Sequence, residues 1–270
     1  MTRFFQILTL SIITLTVNAQ EISKKAFTIG EQIEWFSKEL NEKRSLNIFL
    51  PQDYNSDKKY QVIYLLDGSS HEDFLHICGL VQFFDLQFQM PETIVVGITN
   101  VDRKRDFTFP TTDKELQNEF PTTGGSERFI AYLEKEVQPY INTNYPTNGT
   151  NIIIGQSLGG LLATEILLKK PELFTHFLIT SPSLWWDNQS LLKDAKTLLS
   201  QHDYHNTFIY LAVGEQEHKV MVKDAQTLEK LLTERKDLKI HFALFPEENH
   251  ATILHNSIYK AFLLQYPLKN

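Results

Sequence analysis

The chain has 270 residues, 42% of them hydrophobic and 22% charged, with a formal net charge of −7. That is ordinary globular composition, long enough for one large domain with a sizeable core. A mildly acidic chain without a strong basic patch is a poor partner for nucleic acid or anionic lipid, and its paired lysines (Lys58-Lys59, Lys169-Lys170) read as solvated faces.

The N-terminus has the layout of a secretory leader. Arg3 precedes an apolar run from Phe4 to Val17, and Val17-Asn18-Ala19 offers a small-residue cleavage site. The run is about 14 residues, short of the roughly 20 that span a bilayer. No cysteine follows it to carry a lipid. Residues 1–19 are therefore expected to be a cleaved signal peptide. Residues 20–270 are expected to form one exported domain, secreted or periplasmic, with no stable membrane anchor. The single cysteine, Cys78, cannot make an internal disulfide. In the apolar stretch around it, it reads as a small buried hydrophobe.

Apolar runs then alternate with helical patterns. Strands are expected at 45–50, 60–66, 93–98, 151–154, 175–180, 207–213 and 239–245. Helical spacing covers 72–90, 126–140, the stretch after 154 through Lys170, and 252–264. Continuous β-branched runs between helices imply an α/β fold with a mostly parallel sheet, covered on both faces. Residues 101–125 resist the pattern, being polar and aromatic with Pro110, Pro121 and Gly124-Gly125. A loop that long in a compact domain is usually functional or disordered. It follows a strand end, which places it over the rim where strand-end residues gather.

Gly155-Gln156-Ser157-Leu158-Gly159 fits the G-x-S-x-G nucleophile elbow, with a strand before it and a helix after it. Ser157 is the expected nucleophile. A serine hydroxyl needs a base, and in this class of fold the order is serine, acid, histidine. Of nine histidines, His250 lies just after the last expected strand and is the candidate base. The acid should follow the strand before that, where Glu215, Glu217 and Asp224 stand. Glu217 is preferred because it lies past the turn at Gly214. An oxyanion hole needs two N–H donors. They are expected from Leu158, next to the nucleophile, and from Ser69 in Leu66-Asp67-Gly68-Ser69-Ser70, with Gly68 shaping the turn.

Five stretches resemble the esterase D-like family of α/β-hydrolases. They are Leu46–Tyr54 (LNIFLPQDY), Val62–Gly68 (VIYLLDG), the Ser157 elbow, Ser181–Trp186 (SPSLWW), and Gly214 to Glu217 with His250. The resemblance implies an α/β-hydrolase fold and a serine carboxylic-ester hydrolase acting through an acyl-enzyme. It implies an acid three residues past the strand-ending glycine, which is Glu217, and an oxyanion N–H just after Asp67-Gly68, which is Ser69. The Trp185-Trp186 pair looks most like the ferric-enterobactin esterase branch, where this stretch flanks the active site.

The substrate is expected to be a small ester, such as a siderophore lactone or an acylated carbohydrate. Arg103 and Arg105 would grip an anionic group of it bidentately, or else clamp the loop internally. Trp185 and Trp186 would stack on a ring, or else pack in the core. No metal-ligand spacing and no phosphate-binding motif is present, so no cofactor or metal is expected. An acyltransferase using the same triad is the alternative enzyme. A non-catalytic ligand-binding protein of the same fold is the alternative outside enzymes.

Overall fold

The computed structural model describes residues 22–268. The leader expected at 1–19 lies outside the described residues. The chain runs β1 (Glu31–Ser37), β2 (Glu42–Phe49), β3 (Tyr60–Leu65), α1 (Phe74–Gln87) and β4 (Thr93–Ile98). It continues through α2 (Arg103–Asp106), α3 (Lys114–Glu119), α4 (Ser126–Tyr132) and α5 (Gln138–Asn144), the last two joined by a π-helical stretch at Leu133–Val137. Then come β5 (Thr147–Gln156), α6 (Leu158–Lys169), β6 (His176–Thr180), α7 (Trp186–Leu199), β7 (Phe208–Gly214), α8 (Lys219–Thr233), β8 (Lys239–Phe245) and α9 (Ile253–Gln265).

The strands make one 8-stranded sheet in the order β1-β2-β4-β3-β5-β6-β7-β8. From β4 to β8 every neighbour pair is parallel, while β1 and β2 add an antiparallel edge. This is the α/β-hydrolase architecture. Strands β3 and β4 are buried at every residue, because helices cover both faces of the sheet. Alternate residues supply two cores. Val62 and Tyr64 of β3 join Ile153 of β5 and Phe177 of β6, under α4, α6, α7 and α8. Ile63 and Leu65 join Ile152, Ile154 and Tyr210 under α1 and α9. Cys78 is buried in this second core, and burial pushes its thiol up to about 12, so it stays a neutral thiol. No helix among the described residues is long and apolar enough to cross a membrane.

The expected strands are all present, with shifted ends. The strand expected at 45–50 begins earlier, at Glu42, and that expected at 151–154 begins at Thr147. Edge strand β1, whose exposed face carries Gln32, Glu34 and Phe36, lies outside the expected set. So do helices α7 and α8. The segment 101–125 is an ordered strap rather than a bare loop. It carries α2 and α3 and is pinned at both ends. Asp102 caps α2 by accepting from the Arg105 N–H at 3.0 Å, and the Gly125 N–H donates to the Arg105 carbonyl at 2.9 Å.

Asp106 in this strap meets Arg44 of β2 at 2.7 Å, with both side chains almost wholly buried. The Arg44 guanidinium also reaches Glu42 at 2.9 Å and the Thr99 carbonyl at 3.3 Å, and lies over the rings of Phe129 and Tyr132. The strap is thereby locked to the antiparallel edge of the sheet.

Candidate active site

The sharp turn between β5 and α6 puts Ser157 in a backbone conformation that serine rarely adopts, φ 60° and ψ −119°. Such a positive φ is costly for a residue with a Cβ and is found where surroundings hold it. The turn is held by the Ser157 N–H donating to the Thr180 carbonyl at 3.1 Å and by the Ser183 N–H donating to the Ser157 carbonyl at 3.0 Å. Tight crossing explains the first glycine of the motif. A Cβ on Gly155 would sit 2.4 Å from the Gly159 carbonyl oxygen, backbone against backbone. Gly155→Ala is therefore expected to destabilise the fold by about 1–3 kcal/mol, as overpacking does, and to reduce Ser157 labelling in parallel. A thermal melt beside a labelling assay checks both.

His250 lies in the loop after β8, and Glu217 in the turn after β7. The Glu217 carboxylate accepts from His250 Nδ1 at 2.7 Å, from the Gly214 N–H at 2.8 Å, and from the Ser181 hydroxyl. Its side chain is fully buried, whereas that of His250 is 45% exposed. Burial alone would raise the carboxyl's pKa. The bonds from His250, Ser181 and Gly214 outweigh it and hold the group below its usual value of 4.5. An ionised carboxylate only accepts, so the Nδ1 proton belongs to His250 and Nε2 is left to accept a proton. The His250 carbonyl is fixed by Gln156 Nε2 at 2.7 Å, which ties the histidine loop to the residue before Ser157.

Ser157, Ser183, Trp185, Glu217, His218, Val220, Met221 and His250 line one cavity of about 360 Å³. Ser183 Oγ stands 3.3 Å from Ser157 Oγ. The first turn of α6 leaves the Leu158 N–H without an intrahelical partner, since the earliest bond of the helix is Leu161 N–H to the Ser157 carbonyl. Ser69 follows β3, the strand beside β5. Its N–H donates to the Glu72 carboxylate at 3.2 Å, and the Gly68 carbonyl accepts from Asn47 Nδ2 at 2.8 Å. Gly68 must be glycine there, because a Cβ would come within 2.3 Å of the Gly97 backbone.

The structure thus brings Ser157, His250, Glu217 and Trp185 to one cavity, with Leu158 in the elbow turn and Ser69 on the next strand's rim. It places three other candidates differently. Trp186 is fully buried, with its indole N–H donating to the Phe109 carbonyl at 2.9 Å, so it packs in the core and cannot stack on a ligand. Arg105 is held by Glu42 and by Asp106 at 2.8 Å, and so grips the strap and not a substrate. Arg103 clamps Asp67 bidentately at 2.6 and 2.9 Å, the internal alternative to an anion site. Sequence reasoning missed Ser181, Ser183 and Gln156 as supporting groups, and His218, Val220 and Met221 as cavity walls. The Ser-Pro-Ser run directly after β6, at the same rim as the elbow, was the available signal for the two serines.

One group among the described residues, Asp203, His205 and Asp237, lies close enough to share a cation. It precedes β7 and β8, at the sheet edge opposite Ser157, and Asp237 is already paired with Arg235 at 2.6 Å.

The chain is similar to known esterases in sequence and fold. The chain is 31% identical over 262 residues to the ferri-bacillibactin esterase of Bacillus subtilis, covering 86% of this chain and 88% of that protein. A crystal structure of an IroE-like serine hydrolase from Shewanella oneidensis superposes with a TM-score of 0.79 at 30% identity, over 86% of this chain and 78% of that one. The BES protein of Bacillus cereus also gives 0.79, at 28% identity, over 90% of this chain and 97% of that one. Residues 37–257 match the family described as "Putative esterase", and the chain belongs to that family of carboxylic-ester hydrolases.

Proposed function

We propose that the protein is an exported serine esterase that opens the ester bonds of a siderophore. The observation that carries the chemistry is the 2.7 Å bond from His250 Nδ1 to buried Glu217, at the wall of the cavity that Ser157 also lines. With Nδ1 engaged, His250 Nε2 accepts the Ser157 proton as the hydroxyl attacks the ester carbonyl. Glu217 orients the ring and stabilises the imidazolium that forms. The Leu158 and Ser69 N–H groups bind the oxyanion, with Ser69 turning from Glu72 to the substrate. His250 then returns its proton to the leaving alkoxide. Water, deprotonated by the same nitrogen, attacks the acyl carbonyl, and His250 returns that proton to Ser157 Oγ as the acid leaves.

The choice of ester rests on likeness to the ferri-bacillibactin esterase, which spans most of both chains. Trp185, Val220 and Met221 give the cavity an apolar wall suited to an aryl or acyl arm. The leader read in residues 1–19 adds export to the proposal. A fluorophosphonate is expected to label the native chain at Ser157 and to leave Ser157→Ala unlabelled. The native chain should linearise a catecholate trilactone with higher kcat/KM than it shows on p-nitrophenyl acetate, butyrate, octanoate or ferulate. An active Ser157→Ala protein would sink the nucleophile assignment. A preference for the simple esters would sink the siderophore assignment and leave the esterase standing.

A further inference from the structure

The proposed reaction leaves one polar side chain of the cavity wall without a task. Glu217 is fully engaged, with Oε1 accepting from Ser181 and Gly214 and Oε2 from His250. Ser157 and Ser183 face each other at 3.3 Å. His250 has Nδ1 on Glu217 and keeps Nε2 for the Ser157 proton. His218 lines the same cavity and takes no part in these steps. It is exposed, so it stands at the mouth and not at the floor.

The backbone fixes where this ring stands. His218 is the N-cap of α8, in extended conformation at φ −57° and ψ 136°. Its carbonyl accepts from the Met221 N–H at 2.9 Å. The turn before it is tied by the Glu217 N–H to the Gly214 carbonyl at 3.3 Å and by the Gln216 N–H to the Glu248 carbonyl at 3.1 Å. The side chain itself caps the helix, with Nδ1 accepting from the Val220 N–H at 3.4 Å. A ring nitrogen that accepts carries no proton, so the proton sits on Nε2. Nε2 lies on the far side of the ring from the helix end, and no hydrogen-bond partner takes it among the described residues. Beside this unpaired donor the cavity wall is apolar. Val220 and Met221 follow His218 in the first turn of α8, and the half-buried Trp185 completes the wall.

We propose that His218 is a specificity-determining residue, whose Nε2–H binds a ring oxygen on an aryl arm of the substrate while the ring lies against Trp185 and Met221. This rests on the siderophore reading above and narrows it to arms that are hydroxylated aryl groups. A flat apolar wall with one polar group at its edge suits a ring that carries an oxygen at its own edge. A donor there selects an oxygen and rejects an ammonium group. The arm of a trilactone hangs several bonds from the ester that Ser157 attacks, which matches a residue at the mouth. Such a contact is equally strong before and during the attack, so it acts on KM and leaves the chemical step alone.

The test measures kcat and KM on two trilactones of the same core, one with 2,3-dihydroxybenzoyl arms and one with benzoyl arms, beside a thermal melt. The native chain is compared with His218→Asn and His218→Gln. Asparagine reaches as far as Nδ1 and caps a helix well, but puts no donor where Nε2 stood. Glutamine reaches as far as Nε2 and can donate there, but caps poorly. The native chain is expected to favour the dihydroxybenzoyl substrate by about 10-fold in kcat/KM, the worth of one hydrogen bond to an otherwise unpaired donor. His218→Asn should lose that preference through KM and melt near the native temperature. His218→Gln should keep most of it and melt lower. Persistence of the preference in His218→Asn overturns the proposal, and if His218→Gln loses it instead, the effect belongs to the helix cap. A native chain that cleaves both trilactones without preference defeats the role of His218 alone. One that cleaves p-nitrophenyl butyrate but neither trilactone defeats the siderophore reading beneath it.

Discussion

A His250→Ala variant is expected to turn over p-nitrophenyl butyrate more slowly by a factor on the order of 10⁶ in kcat, and adding Ser157→Ala should slow it little further. In the proposed triad, nucleophile and base act as one unit. Without His250 the serine proton has no acceptor, and without Ser157 the base has nothing to activate. Glu217→Gln is expected to cost about 10⁴ in kcat with the fold intact. A glutamine amide can present an N–H to Nδ1, which moves the ring proton to Nε2 and blocks that nitrogen as an acceptor. The same variant has a signature in stability. The Glu217 pKa is lowered in the folded protein, so the carboxylate stabilises the fold above its unfolded value near 4.5, and that contribution is lost as pH falls through the folded value. The melting temperatures of the native chain and Glu217→Gln should therefore converge as pH is lowered below 4.5. A constant difference down to acid would mean that Glu217 is protonated already at neutral pH.

The second large effect concerns stability. Asp106→Ala is expected to cost about 3–5 kcal/mol, because it leaves the buried Arg44 with only the partly exposed Glu42 as counter-charge. For a domain of this size that is a drop of about 6–20 °C in melting temperature. The Arg44 Nε has no hydrogen-bond partner even in the native chain, so the site has no spare acceptor to take up the loss. Replacing both partners together, Arg44→Met with Asp106→Leu, should recover most of the loss, since no lone charge then stays buried. Calorimetry on the three proteins distinguishes the cases.

The central strands could be read from the sequence because their surroundings are uniform. β3 and β4 are buried on both faces, so nearly every position is apolar and the runs stand out. β1 could not be read that way. It pairs on one side only, and in Glu31-Gln32-Ile33-Glu34-Trp35-Phe36-Ser37 mostly polar residues alternate with half-buried ones. Helix α7 was hidden for another reason. Asp187, Asn188 and Gln189 take left-handed backbone angles, which no periodicity of side chains reveals. At the site, chain order, strand ends and the family resemblance pointed to Ser157, His250 and Glu217, which the fold brings to one cavity. They could not say which of two adjacent tryptophans faces the cavity, because one residue's difference in position decides it. Nor could they say what Arg103 and Arg105 bind. Their partners, Asp67 and Glu42, lie far away in sequence, and only the fold brings them together.

The order of the strands also decides which part of the proposed site is the more exposed to local opening. Ser157 follows β5, at the middle of the sheet, but Glu217 follows β7 and His250 follows β8, which pairs on one side only. Release of β8 alone would carry His250 away from the elbow and leave Ser157 at the end of a strand still paired on both sides. In the proposed triad the base thus hangs from the sheet's edge and the nucleophile from its centre.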